Sequence, residues 1–83
     1  MSRSGADTEA LVRYLVESLV DVPEAVKISV TQSDDSISFM VELDPSDVGK
    51  VIGRGGRTIK AIRTLARAAG STENRQVEVD VVG

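Results

Sequence analysis

The chain has 83 residues, enough for one domain of modest stability, because a domain this small buries only about 60–65% of the surface that its unfolded chain exposes. It contains no cysteine and no histidine, so we expect no disulfide, no metal, no cofactor and no enzymatic activity. The net charge of −3 argues against uniform attraction to nucleic acid, and no apolar run approaches the roughly 20 residues of a membrane span, so we expect a cytoplasmic protein.

The first predicted element is a helix at about residues 8–20, because its apolar residues recur with the 3.6-residue period of one helix face. These residues are Leu11, Val12, Leu15, Val16, Leu19 and Val20. Asp7 or Thr8 is a suitable N-cap, and Pro23 ends the helix. We predict a flexible tail at residues 1–6.

Two strands follow, because apolar and polar residues alternate in two consecutive segments. The apolar positions are Val26, Ile28 and Val30 in the first segment, and Ile37, Phe39, Val41 and Leu43 in the second. A polar turn at residues 32–36 separates the segments, which predicts an antiparallel hairpin with one face exposed to solvent. Met40 falls on that solvent face.

A short helix is predicted after the hairpin. Asp44 suits its N-cap, Pro45 suits its first position, and Asp47 complements the positive end of its dipole. This helix extends only to Val51 or Ile52, because three glycines follow within four residues.

A third helix is predicted at residues 57–69, with Gly70 as its C-terminal stop. Its inward-facing apolar residues are Ile59, Ile62, Leu65, Ala66 and Ala69. A loop at residues 71–75 leads to a last strand. The apolar positions of that strand are Val77, Val79 and Val81.

The predicted element order is therefore α-β-β-α-α-β. A two-helix crossover joins the last two strands, so we expect them to pair in parallel with a right-handed connection. These elements predict an α+β fold, in which a three-stranded mixed sheet carries all the helices on one face. Residues 7–83 form a single domain in this prediction, without repeats or linkers.

The most informative segment is Gly53-Arg54-Gly55-Gly56, called here the glycine turn, between the second and third helices. Glycine adopts backbone angles closed to other residues and lets a ligand approach the main chain closely. The third helix starts directly after the turn, so its unpaired N–H groups and its dipole favour an anion there. Lys50 and Arg57 flank the turn with positive charge, and Ile52 and Ile59 offer apolar surface to bases.

Basic residues are concentrated around the glycine turn. Residues 48–72 contain six basic residues and no acidic residue, whereas residues 1–47 contain ten acidic and three basic residues. The six bases are Lys50, Arg54, Arg57, Lys60, Arg63 and Arg67, and the last four form a stripe at helical spacing. A charged stripe is often only a solvated face, but such faces usually interleave acids with bases. We therefore favour a site for a polyanion such as a nucleic-acid backbone.

The segment from Val51 to Ile62 resembles the signature of the KH domain family, which is an apolar pair, Gly-x-x-Gly, two residues and isoleucine. The element order is similar to the bacterial, type II arrangement, and the resemblance covers about residues 8–83. It implies a hydrophobic groove beside the turn that holds about four nucleotides of single-stranded RNA. For small bacterial proteins with one KH domain it also implies RNA chaperone or post-transcriptional regulatory activity, a larger KH-containing protein partner, and a link to cell-wall synthesis and cell shape.

We predict that RNA contacts Lys50, Ile52, Gly53, Arg54, Gly55, Gly56, Arg57, Ile59, Lys60 and Arg63. Three alternatives remain open: a plain turn between helices, a subunit for homodimerisation or protein binding, and a binder of single-stranded DNA. A P-loop reading fails on its glycine spacing, and a dinucleotide fingerprint would need a strand before the glycines. We predict no small-molecule substrate.

Overall fold

The computed structural model describes residues 6–70 and 76–83. These residues form a three-stranded sheet and three α-helices in the predicted order α-β-β-α-α-β, which is confirmed. The helices are α1 (Ala6–Leu19), α2 (Val48–Ile52) and α3 (Arg57–Gly70). The strands are β1 (Lys27–Gln32), β2 (Ser36–Glu42) and β3 (Gln76–Val82).

The central strand of the sheet is β2. It pairs antiparallel with β1, where Val30 lies opposite Phe39, and parallel with β3, where Phe39 lies opposite Val79. Phe39 is 1% exposed beneath the helices, whereas Met40 on the other face is 42% exposed. The mixed sheet and its solvent face are therefore as predicted.

The strand β1 is less buried than its alternating pattern predicts. Val30 belongs to the side that faces the helices, yet it is 36% exposed, and Ile28 is only half-buried. The reason is that the helices cover β2 and β3 more fully than β1.

The chain passes from β2 to β3 through α2, the glycine turn and α3. The Asp44 carboxylate accepts a hydrogen bond from the Ser46 N–H at 3.0 Å, and so caps the 3₁₀ turn Pro45–Asp47 that continues into α2. At the start of this crossover, the Leu43 N–H donates to the Val82 carbonyl at 3.0 Å. The entrance to α2 is therefore fixed beside the end of β3.

The helix α3 buries a narrower stripe than the sequence predicts. Ile59, Ile62 and Ala66 are buried, but Leu65 is 47% exposed. The prediction that Leu65 faces inward is therefore wrong. Leu65 lies at the flank of a stripe centred on Ile62 and Ala66, beyond the surface that the rest of the fold covers.

The helix ends differ from the predictions by one or two residues. Because α1 begins at Ala6, Asp7 and Thr8 lie inside its first turn rather than at its N-cap. Gly70 is the last residue of α3 and is not left-handed, and a side chain there would collide with Val77. Close packing of α3 on β3, rather than helix termination, therefore requires this glycine.

Two sequence predictions lie outside the described residues. These are the loop at residues 71–75 and the tail at residues 1–6, except that Ala6 belongs to α1. Within the described part of the chain, no helix has both the length and the hydrophobicity needed to cross a bilayer.

Candidate nucleic-acid interface

The backbone of the glycine turn has conformations that require glycine. Gly53 has φ 78° and ψ 170°, Gly55 has φ 64° and ψ 18°, and Gly56 has φ 78°. Residues with a Cβ rarely adopt a positive φ, and the combination at Gly53 is almost restricted to glycine. The Gly53 N–H donates to the Gly49 carbonyl at 2.9 Å, so the turn follows α2 without a spacer.

The turn leaves two main-chain donors available to a ligand. It continues as one turn of 3₁₀ helix into α3, in which the Gly56 N–H donates to the Gly53 carbonyl at 3.1 Å and the Arg57 N–H donates to the Arg54 carbonyl. The N–H groups of Arg54 and Gly55 precede these bonds and have no acceptor among the described residues. Both residues are exposed. The start of α3 therefore presents donors and a positive dipole end to solvent, which favours an anion.

Four exposed basic residues lie along the glycine turn and α3. No carboxylate of the described residues forms a salt bridge with them. They are Arg54, Arg57, Lys60 and Arg67. The positive charge that the sequence concentrates here is therefore available to a polyanion.

Arg63 is the exception in the basic stripe, because its side chain is half-buried against β3. Its Nε donates to the Val79 carbonyl at 3.0 Å, and its Nη2 lies 3.6 Å from the Asp80 carboxylate. Val79 belongs to the edge of β3 that faces away from β2. Two adjoining clefts of about 230 and 190 Å³ open along this edge. Their lining residues are Arg63, Arg67, Gln76, Val77, Glu78, Val79 and Asp80.

Lys50 is exposed, and its side chain belongs to a polar cluster around the buried Asp47. Its Nζ donates to Asp47 at 3.2 Å and also to Asp21. Asp47 is fully buried and accepts hydrogen bonds from the N–H groups of Asp21 and Val22, at 3.1 and 3.0 Å. This cluster ties α2 to the connection between α1 and β1. Two carboxylates already bind the Lys50 side chain. Its contact with RNA stays a prediction.

The polar cluster shifts the pKa values of Asp47 and Lys50. Burial, the largest single influence on Asp47, opposes ionisation, but the N–H groups of Asp21 and Val22 and the Lys50 ammonium together hold the pKa of Asp47 below its ordinary value of 3.8. The hydrogen bonds to Asp21 and then to Asp47 raise the pKa of Lys50.

Acid should destabilise the fold through Asp47. Because its folded-state pKa lies below the ordinary value of 3.8, Asp47 adds stability above that value and loses it as the pH falls through the folded-state pKa. We expect Asp47→Asn to lower stability at neutral pH and to flatten the acid branch of the pH profile. Urea unfolding between about pH 7 and pH 2 measures both effects. Asp34→Asn, in the exposed hairpin turn, is the control and should change neither, so equal profiles for the two variants would contradict the prediction.

The two predicted apolar contacts occupy different environments. Ile59 is 5% exposed and belongs to the core, whereas Ile52 is half-buried and keeps part of its side chain in solvent next to the turn. Contact of either residue with a base stays a prediction, and Ile52 is the better placed of the two. Sequence analysis missed the Asp47 anchor and the Arg63 contact with Val79, since neither produces a periodic pattern.

The sheet topology and the position of the glycine turn between α2 and α3 define a type II KH domain. A family model for the KH domain of KhpA and KhpB matches residues 9–81. The chain belongs to this KhpA/KhpB family.

Similar proteins match over nearly the whole chain. RNA-binding protein KhpA of Clostridium perfringens is 43% identical over 72 residues, which are 87% of this chain and 96% of that protein. RNA-binding protein KhpA of Borreliella burgdorferi is 39% identical over 82 residues, which are 99% of each. Both relatives are named as RNA-binding proteins and not as enzymes, in agreement with the prediction that the chain is not an enzyme.

A solved structure shares the fold. The crystal structure of Era in complex with MgGDPNP and nucleotides 1506–1542 of 16S ribosomal RNA aligns with a TM-score of 0.66 and 19% identity. The alignment covers 90% of this chain but only 30% of that chain. At this identity the likeness concerns the fold alone.

Proposed function

We propose that the chain binds single-stranded RNA by holding its sugar–phosphate backbone at the glycine turn. The observation that carries this proposal is the open turn, where the exposed donors of Arg54 and Gly55 lie at the positive end of α3 without a partner among the described residues. The KhpA relatives are named RNA-binding proteins, which supports RNA as the ligand. From the turn, the RNA chain follows the exposed basic residues of α3 and then the outer edge of β3.

Affinity for single-stranded RNA should fall steeply with salt, because phosphate binding releases counterions. For a single strand, each neutralised phosphate contributes about 0.7 to the slope of log K against log salt concentration. Arg57→Ala should therefore reduce the slope by about 0.7 and weaken binding several-fold at low salt. Fluorescence anisotropy with a labelled oligonucleotide at several salt concentrations measures both quantities.

Lys27→Ala is a matched control for this experiment. Lys27 is exposed on β1, at the opposite edge of the sheet from β3, so the substitution removes the same charge away from the turn. We expect its slope to equal that of the unsubstituted chain. An equal loss of slope in both variants would show that net charge, rather than the turn, governs binding. A DNA oligonucleotide of the same sequence, bound as tightly as RNA, would favour the single-stranded DNA alternative.

We further propose that the protein acts in the cytoplasm as an RNA chaperone or post-transcriptional regulator, together with a KhpB/Jag-like partner, in cell-wall synthesis and cell shape. Membership of the KhpA/KhpB family supports this role. Crosslinking of the protein to RNA in cells tests it, with a variant that carries two acidic residues in the turn as the control. Recovery of the same RNAs with the unsubstituted chain and with this variant would contradict the proposal.

A second candidate function is dimerisation or protein binding, which exposed apolar side chains favour. Tyr14 on α1 is 69% exposed and Leu65 on α3 is 47% exposed. Sedimentation analysis of the purified chain, with and without RNA, separates the two functions. A monomer that binds RNA by itself would argue against a mainly structural subunit.

A further inference from the structure

The outer edge of β1 carries main-chain hydrogen-bonding groups that no strand of the described residues covers. β1 is the first strand in the order β1-β2-β3, so only one of its two edges is paired. Directly after β1, the Ser33 N–H donates to the Ser36 carbonyl at 2.9 Å. In an antiparallel pair, residues that bond across the pair alternate with residues that do not. Counted back from Ser33, Ile28 and Val30 therefore direct their N–H and C=O groups away from β2.

The two outer edges of the sheet differ in how they are protected. On the edge of β3, the Arg63 side chain donates to the Val79 carbonyl at 3.0 Å. β1 contains no proline, pairs with β2 in a continuous register without a bulge, and has a single charged residue, Lys27, at its first position. Prolines, bulges and charges are the usual features that block an edge strand. The helix-facing side chains of β1 are also incompletely covered, since Val30 is 36% exposed and Ile28 is half-buried.

The chemistry of this edge selects an extended polypeptide, because an added strand matches the spacing of its donors and acceptors. The charges around the edge indicate which polypeptide. Glu24 precedes β1, and Asp34 and Asp35 follow it; all three are exposed. None of them forms a salt bridge with the described residues. A segment with apolar residues at alternate positions and basic residues at both ends is therefore complementary to this edge.

A second copy of β1 is a poorer occupant of the same edge. Antiparallel pairing of Ile28 with Val30 of the second copy is symmetric about Ser29, because each lies one position from it. Asp34 and Glu24 each lie five positions from Ser29, so the same register brings these two acidic residues to one level. Like charges would then meet at both ends of the added strand, which is destabilising. A basic partner avoids this repulsion.

We propose that the outer edge of β1 binds an extended, basic segment of a partner protein, which adds a fourth strand to the sheet. Its apolar side chains cover Ile28 and Val30, and its terminal basic side chains lie near the exposed acidic residues at the two ends of β1. This site is at the opposite edge of the sheet from β3, so RNA and the partner segment bind at the same time. The inference goes beyond the proposed function and does not depend on it.

A synthetic peptide tests the proposal, with valine and threonine alternating between two lysines at each end. In an NMR titration, the amide signals of Ile28 and Val30 should shift and their hydrogen exchange should slow, because their N–H groups gain acceptors. Exchange at Ser29 and Thr31 should change little, since these residues already bond to β2. Absence of a response at Ile28 and Val30 would overturn the proposal.

Two control peptides separate main-chain pairing from charge. A peptide with glutamates in place of the lysines should bind roughly tenfold more weakly, because acidic ends meet acidic residues. The lysine peptide with N-methyl groups on its valines keeps its charge but loses the donors directed at β1, so it should also bind roughly tenfold more weakly. Equal binding of the lysine peptide and either control would contradict the proposal.

Val30→Pro blocks the edge in the protein itself. The Val30 N–H points away from β2, so proline removes no bond between β1 and β2, while its ring obstructs an added strand. Peptide affinity should fall roughly tenfold or more, and RNA affinity should stay unchanged. Asp34→Lys with Asp35→Lys tests the charges without a proline and should shift the preference towards the glutamate peptide.

Three outcomes with these variants would reject the basic partner segment. One is full peptide affinity in Val30→Pro with the fold retained. Another is an unchanged peptide preference in the double lysine variant. The third is a concentration-dependent dimer of the unsubstituted chain that Val30→Pro abolishes, which would assign the edge to a second copy. Sedimentation analysis measures the dimer.

Discussion

Arg54→Asp combined with Gly55→Asp is expected to abolish RNA binding while the chain stays folded. The variant removes the cation at the apex of the turn and places two carboxylates where we propose that a phosphate is held. Repulsion between like charges at contact distance, added to the lost attraction, should weaken binding on the order of 100-fold or more. Anisotropy titration with a single-stranded oligonucleotide measures the loss.

The structure explains why this variant should fold. Gly55 has φ 64° and ψ 18°, a left-handed conformation that aspartate tolerates better than most residues, and a Cβ there would meet no atom within 4 Å. We therefore expect a loss of about 1 kcal/mol in the free energy of unfolding. Ala10→Asp with Arg13→Asp makes the same change in net charge on α1 and should keep most of the affinity. Retained binding in a folded turn variant would eliminate the turn as the phosphate site.

Gly53→Ala should produce the largest loss of stability of any single change in the turn. Gly53 has φ 78° and ψ 170°, a combination that costs other residues about 1–3 kcal/mol. A Cβ there would also lie 2.9 Å from the main-chain nitrogen of Thr58 and within contact distance of its side chain. Because that nitrogen belongs to α3 and cannot move independently, we expect the free energy of unfolding to fall by about 3 kcal/mol or more.

Gly55→Ala is the matched comparison, since the new methyl group there points into open space and only the backbone conformation is unfavourable. Its expected loss is about 1 kcal/mol. Urea unfolding followed by circular dichroism, with equal m-values required, measures both variants. Losses that agree within error would mean that the contact between Gly53 and Thr58 does not constrain the turn.

The fold could be predicted largely from the sequence, because its core depends on local periodicity. The alternation that predicts β2 corresponds to the buried Ile37, Phe39 and Val41. The glycine turn lies between α2 and α3, as its glycines predict. Periodicity shows which face of an element is apolar, but not how far its neighbours extend over that face. For this reason the exposure of Val30 and Leu65 was not predictable.

The details of the candidate site were less predictable, because they depend on contacts between distant segments. Asp47 binds the N–H of Val22, 25 positions away, and Arg63 binds the carbonyl of Val79, 16 positions away. A polar side chain that bonds to remote main chain leaves no repeat in the sequence. The sequence alone therefore relates Asp47 to its own helix dipole and groups Arg63 with the exposed basic residues.

The parallel pairing of β2 with β3 makes the glycine turn part of a long crossover that is closed only when both strands are in place. The crossover between the two strands contains α2, the glycine turn and α3. A helix of five residues is not stable by itself. The entropy cost of closing this long crossover is offset only when the two strands form their hydrogen bonds. We therefore expect the glycine turn to be fixed in its place beside the sheet only after β3 has been synthesised and has paired with β2.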